Sequence, residues 1–289
     1  PAELALFSRF AVSSQIQNRH IAFRTEEILG LNGYPSRLER FHEVGMNLAE
    51  RAINAALKDA GLTVKDVGTI IFTSCTAPSI PSLDTRVIDK LGFSRSTRRV
   101  PIYQYGCLGG AAGLALALHT DSEGQASLLL SVELCSLLHL KQDADRSNLV
   151  GSALFADGAA CVVLNESTRG LKVLGSRSNL LPDSSHLMGY DLRDDGTHLI
   201  LDRELPSCLA EHVPEIVRSF LDEHDIPRTA VRSWLLHPGG PKILLALEKL
   251  LSIEREQSIA SWHVLQQFGN MSSASLLFVL QNALTSPAL

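Results

Sequence analysis

Cysteine is sparse in this chain: five in 289 residues, Cys75, Cys107, Cys135, Cys161 and Cys208. The number is odd, the spacings are wide, and no C-x-x-C occurs, which argues against a disulfide framework and against a structural zinc site. Reduced thiols are the simple reading, and with them a cytoplasmic location. No apolar run approaches the roughly 18 residues a transmembrane helix needs, so integral membrane association is not expected. Basic residues are not in excess: 26 Lys and Arg stand against 31 Asp and Glu, a net charge of −5. Nothing in that balance suggests a nucleic-acid partner, although a local basic patch for a polyanionic ligand can hide behind it. Low-complexity tracts and short repeats are missing too. The N-terminus, Pro1-Ala-Glu-Leu, has no basic n-region and no h-region, and opening on proline without methionine reads as a trimmed or incomplete chain.

What is present is apolar content enough for a large core, 45% of residues. Phe41 to Ala60 carries apolar residues at helical spacing and is stopped by Gly61. Val67 to Thr73, VGTIIFT, reads as a buried strand. A helix over Leu83–Leu91, a strand over Arg99–Tyr105, a small-residue helix after Cys107 and a strand over Ala126–Val132 follow. Ala159–Leu164 and Leu171–Ser176 continue the strand pattern, with Asp157-Gly158 as a turn before them. Helices are expected over Pro206–His224, Pro241–Leu251 and Ser272–Ala283, and a short strand over Ser233–Leu236. Alternation of this kind predicts an α/β fold with mainly parallel strands sandwiched by helices.

Three positions carry chemistry. In VPIYQYGCLGGAAGLAL a strand runs into Gly106, Cys107 follows, and a helix starts at once. Glycine permits the tight turn, and the helix N-terminus favours a thiolate. Alone, Cys107 reads equally as a structural cysteine at a helix start. His237, in WLLHPGGPK, sits at a strand end before residues that cannot extend a strand. Alone, it reads as a polar strand terminus. Asn270, in FGNMSSASLLFVL, stands before a small-residue helix and by itself reads as an N-cap. Together the three offer a nucleophile, a base and a second neutral donor for a thioester oxygen.

YGCLGGAAG, HPGGPKIL and FGNMSSA, in that order, resemble the Cys, His and Asn motifs of type III polyketide synthases, the chalcone-synthase-like branch of the thiolase superfamily. GSALFADGAA (Gly151 to Ala160) and MGYDLRDDGTHLIL (Met188 to Leu201) match as well. The details are closer to bacterial members, alkylresorcinol and alkylpyrone synthases among them, than to plant ones. The resemblance implies a layered αβαβα thiolase fold, with an N-terminal half over residues 1–165 carrying the cysteine and a C-terminal half over 166–289 carrying His237 and Asn270. It implies a homodimer, acyl-CoA and malonyl-CoA as substrates, and no cofactor or metal. Cys107 would take an acyl group, and His237 and Asn270 would hold malonyl-CoA as it loses CO₂. Phe155 matches a gatekeeper beside the CoA tunnel, and Gly151 and Ser272 belong to the same substrate-lining motifs. Leu199 falls near a second gatekeeper aromatic, where leucine would suit a longer or fatty starter. Cys75 and Thr76 match cavity-lining positions, although Cys75 reads equally as a small core residue; Ile80 matches the residue that crosses into a dimer partner; and Arg19 matches a basic residue facing CoA phosphate or reads equally as an exposed surface arginine.

The glycine-rich G-F-G-P-G loop that ends family members does not occur, and the opening strand and helix of the first half are not found, so the fold is expected to be truncated at both ends. A single-condensation enzyme like ketoacyl synthase III, or a catalytically silent thiolase-fold protein, remains an alternative on these residues.

Overall fold

A computed structural model describes residues 2–120, 124–140, 143, 145–166, 170–194 and 196–285. Helices α1 (Ala2–Ser13), α2 (Thr25–Gly30) and α3 (Gly33–Ala60) open the chain. Strand β1 (Val67–Thr73), helix α4 (Leu83–Leu91), strand β2 (Arg98–Ile102), helix α5 (Gly109–Ala117) and strand β3 (Ala126–Leu134) then alternate. Helix α6 (Arg146–Leu154) and strand β4 (Asp157–Leu164) complete a four-stranded sheet ordered β2-β1-β3-β4. The first three strands are parallel and β4 is antiparallel.

The sheet's burial follows from its sequence. Every residue of β3 is buried, as its nearly unbroken apolar run requires of a strand covered on both faces. On one face lies α3, whose Phe41, Gly45, Ala49, Ile53 and Leu57 recur every four residues and form a single buried stripe. On the other face α5 meets α10 (Ser273–Thr285) at short range. A Cβ at Gly110 would stand 2.4 Å from the Ser273 carbonyl oxygen. Gly110→Ala therefore forces two helices apart and is expected to cost about 1–3 kcal/mol, read from urea denaturation. An unchanged midpoint would show that the two helices do not need this approach.

Beyond β4 come the antiparallel pair β5 (Met188–Arg193) and β6 (Gly196–Leu201), then α7 (Leu205–Glu223), α8 (Pro241–Leu250) and α9 (Ile259–Phe268) before α10. Three expectations change here. Leu171–Ser176 and Ser233–Leu236 are not strands. The latter segment's amides turn to other partners, Trp234 N–H to the Gln257 carbonyl at 2.7 Å and Leu236 N–H to Ser261 Oγ at 2.9 Å. An extended run becomes a strand only where another backbone lies alongside it, and among the described residues none does so here. Asp157-Gly158 is not a turn but the start of β4. The Asp157 carboxylate is buried and accepts hydrogen bonds from Ala22 N–H, Ser136 N–H and Ser136 Oγ, tying the N-terminal segment to the sheet.

Candidate active site

β2 ends at Ile102, short of the Tyr105 expected, because the chain turns there into one 3₁₀ turn, Gly106–Leu108. Gly106 has φ +53°, which glycine adopts without strain, and this places Cys107 directly before the first turn of α5. Cys107 is half-buried, and Sγ accepts a hydrogen bond from Ser272 Oγ at 3.4 Å. Burial pushes its thiol up to about 11, opposed by that hydrogen bond. The N-terminal end of α5 also favours negative charge at this position.

Asn270 is almost fully buried and lies beside Phe155 in a parallel backbone bridge. Its N–H donates to the Leu154 carbonyl at 2.9 Å, and its own carbonyl accepts from Ala156 N–H at 2.9 Å. The side chain is fixed as firmly. Oδ1 accepts from Ser272 N–H at 2.9 Å, and Nδ2 donates to the Gly239 carbonyl at 3.3 Å. With Oδ1 engaged, the amide presents its NH₂ toward the 237–240 loop and has one N–H left to give.

His237 opens that loop, with Gly239 N–H donating back to its carbonyl at 2.9 Å. Both imidazole nitrogens are buried and have no hydrogen-bond partner among the described residues. An unpartnered buried imidazole is costly, so its place needs a chemical reason. Burial lowers its pKa to about 4 and keeps it neutral. The three residues are thus joined from Cys107 through Ser272 and Asn270 to Gly239, two residues from His237.

The other expected positions divide. Gly151, Phe155 and Leu199 pack together: a methyl on Gly151 would meet Leu199 at 2.9 Å and the Phe155 ring at 3.3 Å. Cys75 is buried with Sγ 3.1 Å from Ser272 Oγ. The Thr76 hydroxyl accepts from Leu134 N–H at 3.1 Å, a contact to the sheet backbone. Ile80 is fully exposed. Arg19 commits its guanidinium to the carbonyls of Ser152, at 2.6 Å, and Phe155, at 3.0 Å, and so holds the segment before Asn270's bridge partner. Two clefts lie elsewhere, and neither is lined by Cys107, His237 or Asn270. One of about 740 Å³ runs among His20–Ala22, α3, the start of β4 and Phe278; one of about 260 Å³ lies between Asp143 and the β5–β6 hairpin.

Glu133 was not anticipated. It is completely buried near the end of β3 and accepts from Cys75 N–H at 3.1 Å, from Ser74 Oγ at 3.4 Å and from Ser273 Oγ. Burial raises its pKa to about 7 despite those donors. The signal was available: one acid within the run ASLLLSVEL, where an ionisable group must have partners. Tyr190, with its hydroxyl 3.9 Å from Cys75 Sγ, had no such signal.

A mainly parallel sheet held between helices, with a cysteine in the turn before a helix linked to an asparagine and a histidine loop, defines a condensing enzyme of the thiolase class. The family of chalcone and stilbene synthases matches through its N-terminal domain over residues 5–167 and its C-terminal domain over residues 172–286, and this chain belongs to that family. The 1,3,6,8-tetrahydroxynaphthalene synthase of Streptomyces peucetius subsp. caesius is 37% identical over 98% of this chain and 77% of its own length. Phloroglucinol synthase of Pseudomonas fluorescens is 28% identical, covering 98% of this chain and 82% of its own. The crystal structure of 1,3,6,8-tetrahydroxynaphthalene synthase from Streptomyces coelicolor A3(2) superposes with a TM-score of 0.93 at 28% identity, covering 98% of this chain and 82% of that one. The protein is therefore an enzyme of type III polyketide synthase chemistry, forming carbon–carbon bonds by decarboxylative Claisen condensation of CoA thioesters.

Proposed function

We propose that Cys107 is the acyl-carrying nucleophile, His237 its base, and Asn270 with His237 the donors that hold the malonyl thioester oxygen. The observation that carries this reading is the linkage of Cys107 Sγ through Ser272 and Asn270 to the 237–240 loop, beside an imidazole with no hydrogen-bond partner among the described residues. At rest, burial favours a neutral thiol and a neutral imidazole. The proton then leaves Sγ for His237 as sulfur attacks the acyl-CoA carbonyl, and CoA departs as the leaving thiol. Malonyl-CoA next loses CO₂, and the enolate oxygen that forms is stabilised by the free N–H of Asn270 and by His237. The enolate carbon attacks the Cys107 thioester, and the sulfur leaves to begin another round.

Two measurements test this: intact-protein mass after mixing with an acyl-CoA, and CO₂ release from malonyl-CoA. Asn270→Ala is expected to lower turnover about 10²-fold by removing one oxyanion donor, while Cys107 still acylates. If acylation and condensation fell equally, Asn270 would be a structural residue and not a donor.

Gly151, Phe155 and Leu199 belong to the same reading as the wall of the acyl passage, supported by the approach of Leu199 and the Phe155 ring to Gly151. Products from a panel of acyl-CoA starters, identified by mass spectrometry, would assign the starter class. A division of the chain near 165/166 is supported by the two family domains meeting between residues 167 and 172. A homodimer covering the exposed Ile80 completes the reading, and light scattering that returned a monomer mass would remove it. No helix among the described residues is long and apolar enough to cross a membrane.

A further inference from the structure

Cys75 and Cys107 leave the same end of neighbouring strands. Cys75 lies two residues past β1 and Cys107 five past β2, and the two strands run parallel with Thr73 opposite Ile102. Their following segments are tied by the Tyr103 hydroxyl, which donates to the Cys75 carbonyl at 3.0 Å. Between the two sulfurs stands a single hydroxyl, Ser272 Oγ, 3.1 Å from Cys75 Sγ and 3.4 Å from Cys107 Sγ. A hydroxyl rotates freely between partners, so it separates the sulfurs without locking them apart. Neither cysteine is in a strand ladder, so moving the sulfurs together breaks no sheet hydrogen bond. The pair is also unequal: Cys107 is half-buried and reachable, whereas Cys75 is buried.

We propose that Cys75 is a resolving thiol for Cys107, so that a hydroperoxide converts the active site into a reversible Cys75–Cys107 disulfide. As the Cys107 thiol passes its proton to His237, the sulfur attacks one oxygen of hydrogen peroxide, an S–O bond forms as the O–O bond breaks, and the leaving hydroxide takes that proton as water, giving a sulfenic acid. Cys75 sulfur then attacks the sulfenic sulfur, the S–S bond forms, and water leaves carrying the Cys75 proton. Two thiols and one peroxide become one disulfide and two waters. The enzyme is idle in that state, and a dithiol reductant restores both thiols. Shielding follows from chemistry: sulfenic acid that meets no second thiol goes on to sulfinic and sulfonic acids, which dithiols do not reverse. Cys135, one residue past β3, is the other buried thiol at this end of the sheet, but no hydrogen bond joins it to Ser272 Oγ, so Cys75 is the partner chosen. That the disulfide idles the enzyme rests on Cys107 being the acyl-carrying nucleophile of the proposed function; the crosslink itself does not.

The test uses the whole chain. It is treated with hydrogen peroxide, free thiols are alkylated, and the unreduced digest is mapped by mass spectrometry. The expected result is a peptide pair joined through Cys75 and Cys107, with acylation by acyl-CoA lost at least about tenfold and recovered by dithiothreitol. In Cys75→Ser the same treatment should carry Cys107 to sulfinic or sulfonic acid, without recovery. A measurement that needs no variant is the mass of a phenylarsine oxide adduct on the native enzyme, which should occupy Cys75 and Cys107 together. The proposal is overturned by a wild-type map in which Cys107 is over-oxidised while Cys75 is alkylated, or by a crosslink from Cys107 to Cys135 instead. Untreated enzyme that forms no acyl adduct yet still crosslinks would reject the nucleophile reading and leave this one standing.

Discussion

Replacing Cys107 with alanine is expected to abolish the acyl-enzyme and to lower product formation by at least about 10³-fold, with little change in stability. The size of the loss follows from the route: without the sulfur, no covalent intermediate exists to be attacked. Little stability should go with it, because Sγ makes one long hydrogen bond, to Ser272 at 3.4 Å, and the glycines that seat α5 are untouched. Cys107→Ser keeps the shape but offers a hydroxyl far less acidic than a thiol, so it should acylate only slowly. The nearby Cys75 makes the alanine variant more informative. An acyl adduct that persisted in Cys107→Ala and moved to the Cys75 peptide would reassign the nucleophile, and a product rate within tenfold of wild type would end the proposal.

Much of the candidate site is legible in the sequence because its residues are marked by backbone. Gly106 before Cys107, Gly239-Gly240 after His237 and Gly269 before Asn270 each mark a sharp departure from regular structure, and those departures position the side chains. The sheet was legible wherever strands are buried on both faces, as β1 and β3 are. It failed at 171–176 and 233–236, where apolar content was read as pairing although strand formation depends on a neighbour the local sequence does not name. Helices α6 and α9 went unread because both are short and mix small or polar residues through their apolar positions, RSNLVGSAL and IASWHVLQQF, leaving a weak stripe. Ser272 was assigned to the substrate motif, but its link between two sulfurs was beyond reach, since Cys75 and Cys107 come from separate segments that only the parallel pairing of β1 and β2 brings together. Asp157-Gly158 misled for a related reason: the pair favours turns, yet here the carboxylate is buried by three donors from distant segments.

Two buried groups near this site should give the fold opposite responses to pH over nearly the same window. Glu133 has a pKa raised from 4.5 to about 7 by burial. Between those values the folded chain holds a proton that the unfolded chain has released, so stability falls as pH rises through the window. His237 has a pKa lowered from 6.5 to about 4 by burial. Between those values the unfolded chain holds the extra proton, so stability rises with pH. Each effect amounts to about 3 kcal/mol across its window, so in the wild type they largely cancel from about pH 4.5 to 6.5. Removing either should expose the other. His237→Gln should lose about 3 kcal/mol between pH 4.5 and 7, and Glu133→Gln should gain about as much between pH 4 and 6.5. Glutamine suits both positions: it is neutral at every pH, and at Glu133 its carbonyl can still accept from Cys75 N–H or Ser273 Oγ. The groups electrostatically coupled to Glu133, namely Cys75, Cys107, Cys135, Tyr103 and Tyr190, are all neutral in this range because burial raises every one of them. Asp157, also raised by burial, contributes equally to all three proteins and drops out of their differences. Urea midpoints taken at half-unit steps from pH 4 to 7.5, with m-values compared, would measure the effect. Three parallel curves would mean that neither group changes its protonation on folding, and that the carboxylate beneath Cys75 is ionised in the working enzyme.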